Sequence, residues 1–372
     1  MFPTINRESS MLGFGCMRFP TTPDGKIDEI EAIRMIRHAI DNGVRYIDTA
    51  YPYHGGESEA VVGKALKDGY REKVILTTKL PVWLVKTHED MMKFLDEQLK
   101  KLDTPYVDFY ILHAMNNERM DAMQKLDYKR FYAEAIAQGK VRYPGFSFHD
   151  DAKAFLRILH DWDQWGMCQV QMNILDDENQ ATLEGIREAG RRGVGVVVME
   201  PLRGGLLANP PVDVKAVYDA YAVRRSPVEW GFRYLYAMPE VTTILSGMST
   251  WAQVTDNLRI FDMTKRPTLT DEELALYQKV KATYLARTKT RCTGCKYCQP
   301  CPMGVQIPRI FQGYDAAMLR ADSSFKAGYA QIQADHADAS QCIHCRKCER
   351  VCPQHLPITR FLEEIHAASA AE

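Results

Sequence analysis

The sequence lacks a hydrophobic run long enough to cross a membrane. Its longest apolar runs, such as residues 194–199, fall far short of the roughly 20 residues that span a bilayer. Residues 1–10 carry no apolar core of a signal peptide, so we expect the protein to be cytoplasmic. The sequence also lacks an excess of either charge, with 47 Lys and Arg against 48 Asp and Glu. This balance argues against a strongly basic nucleic-acid binder.

Cysteine is nearly absent from the first three quarters of the chain. Only Cys16 and Cys168 precede residue 292, and both lie in apolar sequence, where a thiol is usually a small buried side chain. The other eight cysteines form two tight groups near the end of the chain. Because disulfides are rare in a reducing cytosol, we expect these clustered thiols to bind metal.

What the chain does contain is an alternation of short apolar strands and longer helical segments. The predicted strands are residues 12–16, 44–48, 73–78, 107–112, 141–147, 168–172, 194–199 and 242–245. Eight such strands separated by helices over roughly 250 residues are typical of a (β/α)8 TIM barrel, a fold of the α/β class. The alternative, an open doubly wound sheet, usually begins with a three-glycine turn. Gly13 and Gly15 are not followed by the third glycine, so we favour the barrel.

The end of the alternating pattern gives a domain boundary. Thr270 and Glu273 form a capping box that starts a further helix, which we expect to run to about residue 286. The chain then turns cysteine-rich at Cys292. We therefore predict a barrel domain over residues 1–285 and a small second domain over residues 286–372.

Four titratable side chains follow predicted strands, at positions where a core residue would be apolar. They are Asp48, Tyr53, Lys79 and His113. In a (β/α)8 barrel the chemistry lies at the C-terminal ends of the strands, so we expect these side chains to converge on one mouth. Any one of them alone would usually be a surface or hydrogen-bonding residue. Together they predict a catalytic site.

The four side chains suit proton transfer to a carbonyl oxygen. A free tyrosine has a pKa of about 10, too high for efficient proton transfer at neutral pH. The ammonium of Lys79 is expected to lower the pKa of Tyr53, and a carboxylate such as Asp48 keeps a buried lysine charged. The His113 imidazole can orient the carbonyl oxygen.

The same residues lie in motifs that resemble those of the aldo-keto reductase family. Residues 43–53 (GVRYIDTAYPY), 75–79 (ILTTK) and 111–113 (ILH) are similar to family motifs and occur in the family's order. The resemblance covers about residues 11–262. It implies an oxidoreductase that transfers a hydride between NAD(P)H and a small carbonyl compound or alcohol.

The resemblance also implies a role for each of the four side chains. Tyr53 is the general acid/base and Lys79 tunes it. Asp48 holds Lys79, and His113 positions the substrate.

A nicotinamide site across the barrel mouth is implied as well. Residues 145–149 (GFSFH) resemble a family segment that holds the carboxamide, although Phe148 stands where the family has asparagine. No basic residue stands at Ser249 or Gln253, so the choice between NADPH and NADH stays open. Residues 203–205 are either a plain turn or a pyrophosphate contact. Carried over, the cofactor-binding residues are Ser147, Gln169, Met199, Gly247, Ser249, Gln253, Asp256 and Asn257.

The two cysteine groups follow regular spacings. Two residues separate each successive pair in the first group, Cys292, Cys295, Cys298 and Cys301. The second group, Cys342, Cys345, Cys348 and Cys352, has spacings of two, two and three residues and a following proline. That second spacing is typical of bacterial ferredoxins. Paired Cys-x2-Cys units also make zinc sites, but the pattern favours iron and sulfur.

The region from residue 292 to about residue 362 resembles a two-cluster [4Fe–4S] ferredoxin module, a small α+β fold, with an enlarged insert. In that family the fourth cysteine of each motif serves the other cluster. The resemblance therefore implies one cluster on Cys292, Cys295, Cys298 and Cys352. It implies a second cluster on Cys301, Cys342, Cys345 and Cys348.

Joining these two halves leaves three functions open. A hydride carries two electrons whereas a [4Fe–4S] cluster passes one, and we identify no flavin site in the sequence. We favour an enzyme whose clusters exchange electrons with a redox partner protein or a mediator. The alternatives are a carbonyl reductase with purely structural clusters and an electron-transfer adaptor with a degenerate barrel. Residues 114–126 and 200–213, the expected specificity loops, carry no decisive charge.

Overall fold

The chain divides into two compact units. The computed structural model describes residue 2 and residues 9–262, 266–292, 294, 296–352 and 354–370. The first unit comprises residues 1–204 and 228–269, and the second comprises residues 205–227 and 270–372. The predicted boundary after residue 285 falls inside a helix of the second unit, Asp271–Arg287, and stays a prediction.

The first unit is a closed barrel of eight parallel strands in sequential order. The last strand pairs with the first, with Leu12 opposite Ile244, which confirms the predicted (β/α)8 barrel. Because both faces of a barrel strand are covered, the strands are continuous apolar runs. The strands are β1 (Leu12–Gly15), β2 (Tyr46–Asp48), β3 (Ile75–Leu80), β4 (Val107–Met115), β5 (Val141–Phe148), β6 (Met167–Gln171), β7 (Gly195–Met199) and β8 (Val241–Ser246).

Helices follow the strands of the barrel. Side chains that accept hydrogen bonds from backbone N–H groups fix several of their starts. Thr250 and Gln253 form a capping box, for example, at the start of the helix after β8. The helices are α1 (Glu29–Asp41), α2 (Ser58–Ala65), α3 (His88–Leu102), α4 (Asn117–Lys125), α5 (Tyr128–Ala137), α6 (Ala152–Asp161), α7 (Thr182–Arg191), α8 (Val212–Asp219), α9 (Pro227–Tyr236) and α10 (Trp251–Phe261); α8 belongs to the second unit.

Aromatic side chains fill the N-terminal end of the barrel. The ring of Phe2 lies 4.9 Å from that of Phe109 and 5.7 Å from that of Tyr46, measured between centroids. A Cβ atom on Gly195, the first residue of β7, would overlap the Phe2 ring, so this position requires glycine. The interior is therefore closed at this end, and polar groups gather at the other.

The regular elements described in the second unit are helices. They are α8 with α11 (Asp271–Arg287), α12 (Ile307–Arg320), α13 (Ser324–Ala334), α14 (Lys347–Arg350) and α15 (Ile358–Ala370). The predicted capping box of Thr270 and Glu273 starts α11. The Asp315 carboxylate accepts hydrogen bonds from the backbone N–H of Lys289 at 2.9 Å and of Arg291 at 2.7 Å. These bonds fix the chain where it enters the first cysteine group.

Within the described residues, we find no helix with the length and apolar character needed to cross a bilayer.

Candidate active site

The C-terminal ends of neighbouring barrel strands bring three of the four predicted catalytic residues into the same mouth. Asp48 ends β2, Lys79 lies near the end of β3, and His113 lies in the last third of β4. Tyr53 follows β2 in a short turn, Tyr53–Gly56. The topology of a (β/α)8 barrel places all of these positions at one end.

An ion pair lies at the centre of this group. Lys79 Nζ donates to Asp48 Oδ1 at 2.6 Å and to the backbone oxygen of Thr49 at 2.7 Å. The lysine and aspartate residues are only 1% and 2% exposed. Such a pair depends on both partners, because either charge alone would be buried without compensation.

The turn that carries Tyr53 places the tyrosine ring beside this ion pair. The Lys79 Nζ atom lies 4.8 Å from the centroid of the Tyr53 ring. The next residue, His54, has a left-handed backbone with φ 52°, and its Nε2 accepts a hydrogen bond from the Phe19 N–H at 3.0 Å. The Phe19 and His54 rings also stack, with their centroids 5.4 Å apart. The turn is therefore anchored to the segment after β1.

His113 lies on the other side of the tyrosine. Its ring meets the Tyr53 ring edge-on, with centroids 6.1 Å apart and planes at 80°. The Nδ1 atom of His113 is buried and has no hydrogen-bond partner among the described residues. A phenol and an imidazole therefore face the same small volume.

Burial and charge set the protonation of these groups. Burial raises the pKa of Tyr53, and the expected lowering by Lys79 acts in the opposite sense but is smaller. Burial alone would lower the pKa of Lys79, but the Asp48 carboxylate beside it raises that pKa above its usual value. Burial and the Lys79 charge hold the pKa of His113 well below its usual range. The resting site thus holds a neutral phenol, an ammonium and a neutral imidazole.

Three predicted cofactor residues lie at the ends of β5, β6 and β7. The Ser147 hydroxyl oxygen accepts a hydrogen bond from the Ala114 N–H at 2.7 Å. Gln169 Nε2 lies 3.9 Å from the Met199 sulfur. Gln169 Oε1 is buried and unpartnered among the described residues. An unpaired buried amide oxygen is costly unless a ligand donates to it, so Gln169 fits a ligand that carries an N–H group.

The segment after β8 holds three further predicted cofactor residues, Gly247, Ser249 and Gln253. Gln253 Oε1 accepts from the backbone N–H of Ser249 at 2.7 Å, as part of the capping box of α10. The Ser249 hydroxyl donates to the Arg18 backbone oxygen at 2.7 Å. A Cβ atom on Gly247 would lie 3.4 Å from the stem of the Arg18 side chain. Arg18, from the loop after β1, therefore places a cationic side chain beside this segment.

The last two predicted cofactor residues make local bonds. Asp256 pairs with Arg259 at 2.9 Å, and Asn257 Nδ2 donates to Ser246 Oγ at 2.8 Å. The Asn257 bond holds α10 against the end of β8, whereas the Asp256 pair lies within α10. Arg203, in the candidate pyrophosphate turn, pairs with Asp176 at 3.3 Å.

Sequence reasoning missed Arg18, Trp83 and Arg119. Arg18 Nη2 also lies 3.9 Å from the position of a Cβ atom on Gly204, so this side chain reaches across the mouth from β1 toward the loop after β7. The Trp83 ring lies 5.1 Å from that of His113. The only sequence signal for these three residues was that each follows a predicted strand.

In the second unit, the described cysteines line two cavities. One cavity of about 210 Å³ is lined by Cys298, Cys301, Cys342, Cys345 and Cys348. A smaller cavity of about 20 Å³ is lined by Cys292, Cys298 and Cys352. Cys352 thus lies beside Cys292 and Cys298, and Cys301 lies beside the second group, while Cys298 lines both cavities. Cys295 lies outside the described residues.

The backbone between these cysteines has an unusual conformation. His344 and Arg346 have φ values of 56° and 55°, and Lys296 has a φ of 64°. Left-handed residues alternating with ordinary ones form concavities of N–H groups that bind anions, including iron–sulfur clusters. In the described part of the chain, no three His, Cys, Asp or Glu side chains form a group that could hold a metal ion. The thiol-lined cavities suit the thiolate-bound clusters that the spacing predicts.

Comparison with known proteins agrees with the barrel and with the cysteine pattern. The model of the aldo/keto reductase family matches residues 11–282, and the model of the 4Fe-4S dicluster domain matches residues 291–356. The chain belongs to the aldo/keto reductase family. More particularly, it is an oxidoreductase of that family with a C-terminal 4Fe–4S dicluster domain.

Similar proteins come from plants and bacteria. "Probable aldo-keto reductase 1" of Glycine max is 27% identical over 219 residues, which span 55% of this chain and 59% of that protein. "Uncharacterized oxidoreductase YqkF" of Bacillus subtilis is 24% identical over 312 residues, 74% of this chain and 94% of that protein. The structure of aldo-keto reductase AKR11C1 from Bacillus halodurans in its holo form has a TM-score of 0.62 and 28% identity, covering 75% of this chain and 95% of that one.

The buried ion pair allows a first prediction. We expect Lys79→Met to lower the free energy of unfolding of the barrel by about 3–5 kcal/mol, because Asp48 is left charged and buried. All five tryptophans lie in the barrel unit, so tryptophan fluorescence in a denaturant titration measures this unit.

The matched control is Asp48→Leu combined with Lys79→Met. Because this double variant removes both charges, its loss of stability should be smaller than the sum of the two single losses. Simple additivity of the two losses would mean that the pair contributes no coupling.

Proposed function

We propose that the barrel transfers a hydride between NAD(P)H and a small carbonyl compound or alcohol, with Tyr53 as general acid/base. One observation carries the proposal: the buried Lys79–Asp48 pair holds an ammonium 4.8 Å from the Tyr53 ring centroid, at the mouth where barrel enzymes do their chemistry. Membership of the aldo/keto reductase family supports the same class of reaction.

The proposed mechanism follows from the protonation of the site. In the reducing direction, the hydride to the carbonyl carbon is the chemistry that a bound nicotinamide would supply. Tyr53 donates its phenolic proton to the carbonyl oxygen, and the Lys79 charge stabilises the phenolate that remains. The neutral His113 imidazole donates a hydrogen bond that orients the same oxygen. In the oxidising direction, the Tyr53 phenolate takes the hydroxyl proton of the alcohol.

Gln169 and Arg18 are suited to bind the two ends of the nicotinamide cofactor. The unpartnered Gln169 Oε1 would accept a hydrogen bond from the carboxamide. Arg18, whose stem packs on Gly247, would bind a phosphate of the cofactor through its guanidinium. Ser249 and Gln253 are neutral, so we assign the cofactor as NAD(P)H without choosing between the two forms.

Arg18 gives a binding prediction. We expect Arg18→Gln to weaken NAD(P)H binding roughly 10- to 100-fold, because a charge-assisted hydrogen bond to phosphate is lost. The measurement is titration of the fluorescence of the reduced nicotinamide. A larger loss for NADPH than for NADH places Arg18 at the additional phosphate, whereas an equal loss places it at the shared pyrophosphate.

The control for Arg18 is Lys26→Gln. Lys26 is exposed and pairs with Asp24 at 3.3 Å, so the substitution removes one positive charge away from the proposed site. An unchanged affinity in Arg18→Gln, or an equal loss in both variants, would contradict the assignment.

The general acid gives a kinetic prediction. We expect Tyr53→Phe to lower kcat for carbonyl reduction by about 10²- to 10⁴-fold, with little change in the dissociation constant of NAD(P)H. The phenylalanine keeps the ring and removes only the hydroxyl. Tyr51→Phe is the matched control, since the Tyr51 ring packs edge-on against Phe94 at 5.3 Å and lies outside the proposed chemistry.

The pH profile tests the same assignment independently. Because burial raises the pKa of Tyr53 and lowers that of His113, the phenol stays protonated and the imidazole neutral across neutral pH. We therefore expect kcat/KM for reduction to be flat near neutrality and to fall only above about pH 10. A fall centred near pH 7 would show that another group supplies the proton.

For the second unit we propose two [4Fe–4S] clusters that exchange single electrons with a partner protein or mediator. The clusters would be held by Cys292, Cys295, Cys298 and Cys352, and by Cys301, Cys342, Cys345 and Cys348. The grouping of the described cysteines around two cavities supports this assignment. Ile343 and Tyr297, which line the larger cavity, are 60% and 68% exposed, so a partner could approach a cluster there. Two clusters together accept two electrons, the number that a hydride carries.

A purely structural role is the second candidate for the clusters. The cysteine loops lie between helices that share one core of residues such as Phe311 and Leu362, which a cluster would brace. A redox titration separates the two candidates, because structural clusters would remain oxidised at potentials accessible to NAD(P)H or ferredoxin.

The crossed ligand sets give a prediction of iron content. We expect the double variant Cys301→Ser/Cys345→Ser to keep about half of the iron, because both cysteines belong to one cluster. Cys298→Ser/Cys345→Ser should lose nearly all of it, because each substitution removes a ligand of a different cluster. Iron and sulfide are measured after anaerobic purification, and equal losses in the two variants would contradict the crossing.

A further inference from the structure

A guanidinium lies at the rim of the barrel beside His113. Arg119, at the start of α4, has its Cζ atom 5.3 Å from the centroid of the Trp83 ring, and that ring lies 5.1 Å from the His113 ring. Arg119 Nη1 donates to the backbone oxygen of Ala114 at 2.5 Å. Because Ala114 directly follows His113, the hydrogen bond and the contact with the Trp83 ring hold the cation at the rim of the mouth.

The charge of Arg119 is not matched by the protein. The residue is half-buried, and no carboxylate in the described ranges lies within ion-pair distance of it. The neighbouring Asp150 is engaged by the Asn117 N–H at 3.0 Å, and Asp48 is paired with Lys79. A guanidinium presents five N–H donors in a fork that matches a carboxylate, and most of those of Arg119 remain available.

Trp83 separates this cation from the imidazole. Its ring contacts both side chains, facing the Arg119 Cζ atom and tilted by 53° from the His113 ring, and the residue is 43% exposed. An exposed indole beside a catalytic group offers an apolar surface for the carbon skeleton of a ligand. Together, His113 offers a hydrogen-bond donor, Trp83 an apolar surface and Arg119 a cation.

We propose that Arg119 binds a carboxylate on the substrate, so that the enzyme prefers aldehydes or ketones whose carboxylate is separated from the carbonyl group by an apolar spacer. The carbonyl oxygen lies between Tyr53 and His113, the spacer packs on Trp83, and the carboxylate meets the Arg119 fork. Carboxy-substituted aromatic aldehydes and ω-oxo acids belong to this class. The proposal rests on the proposed function for its reaction and adds the substrate class.

The test compares two substrates that differ only in charge, 4-carboxybenzaldehyde and its methyl ester. With the holoenzyme, we expect kcat/KM to favour the acid by roughly 10- to 100-fold, mainly through KM. Arg119→Gln should abolish this preference, because its loss of kcat/KM for the acid exceeds its loss for the ester by at least tenfold, and Arg119→Lys should keep part of the preference. An absence of preference in the natural enzyme, or an equal loss for both substrates in Arg119→Gln, would overturn the proposal.

A binding measurement separates this proposal from the proposed reaction. Titration of tryptophan fluorescence with 4-methylbenzoate, which cannot be reduced, should give a dissociation constant that rises at least tenfold in Arg119→Gln. Lys125→Gln, an exposed position on the same helix, should leave that constant and the acid-to-ester ratio unchanged. If Tyr53→Phe retains full turnover but benzoate binding still depends on Arg119, the mechanism fails and the carboxylate site stands. If Arg119 does not affect benzoate binding, the carboxylate site fails by itself.

Discussion

The site depends on one buried ion pair. Lys79 and Asp48 could not be buried separately, because the cost of an uncompensated charge exceeds what most side-chain contacts return. Buried together, they give the barrel mouth an ammonium that cannot move away from the tyrosine. That fixed charge favours a neutral His113 and stabilises any negative charge that develops on Tyr53. The proposed chemistry is thus a consequence of where the barrel places two residues of adjacent strands.

Much of the barrel was readable from sequence, because local signals and the fold agree. Apolar runs gave all eight strands to within about three residues at each end, and the capping box at Thr270 gave the start of a helix. Strand ends pointed to the catalytic residues. The balance of effects on the pKa of Tyr53 was not readable, because burial depends on the surrounding packing. Arg18 and Arg119 were missed because their contacts join segments far apart in sequence, across the barrel mouth or between successive loops.

The cysteine domain shows a different limit. The spacing of its cysteines predicted iron–sulfur chemistry, because thiolates at fixed intervals suit a cluster. The sequence could not show the left-handed backbone at His344 and Arg346, since neither residue type requires it. Nor could spacing alone say how the two groups of cysteines share their ligands. The approach of Cys352 to Cys292 depends on the return of the chain through α12 and α13, which carry no cysteine.

The position of the Phe2 ring limits the route by which reactants can reach the barrel mouth. Because this ring fills the N-terminal end of the barrel beside Gly195, a reactant would enter and leave the barrel from the C-terminal end. Two reactants that use the same opening must bind in order when one lies beneath the other. Under the proposed function, whichever of the cofactor and the substrate lies deeper would bind first and leave last, so the closed N-terminal end would impose an order of binding and release.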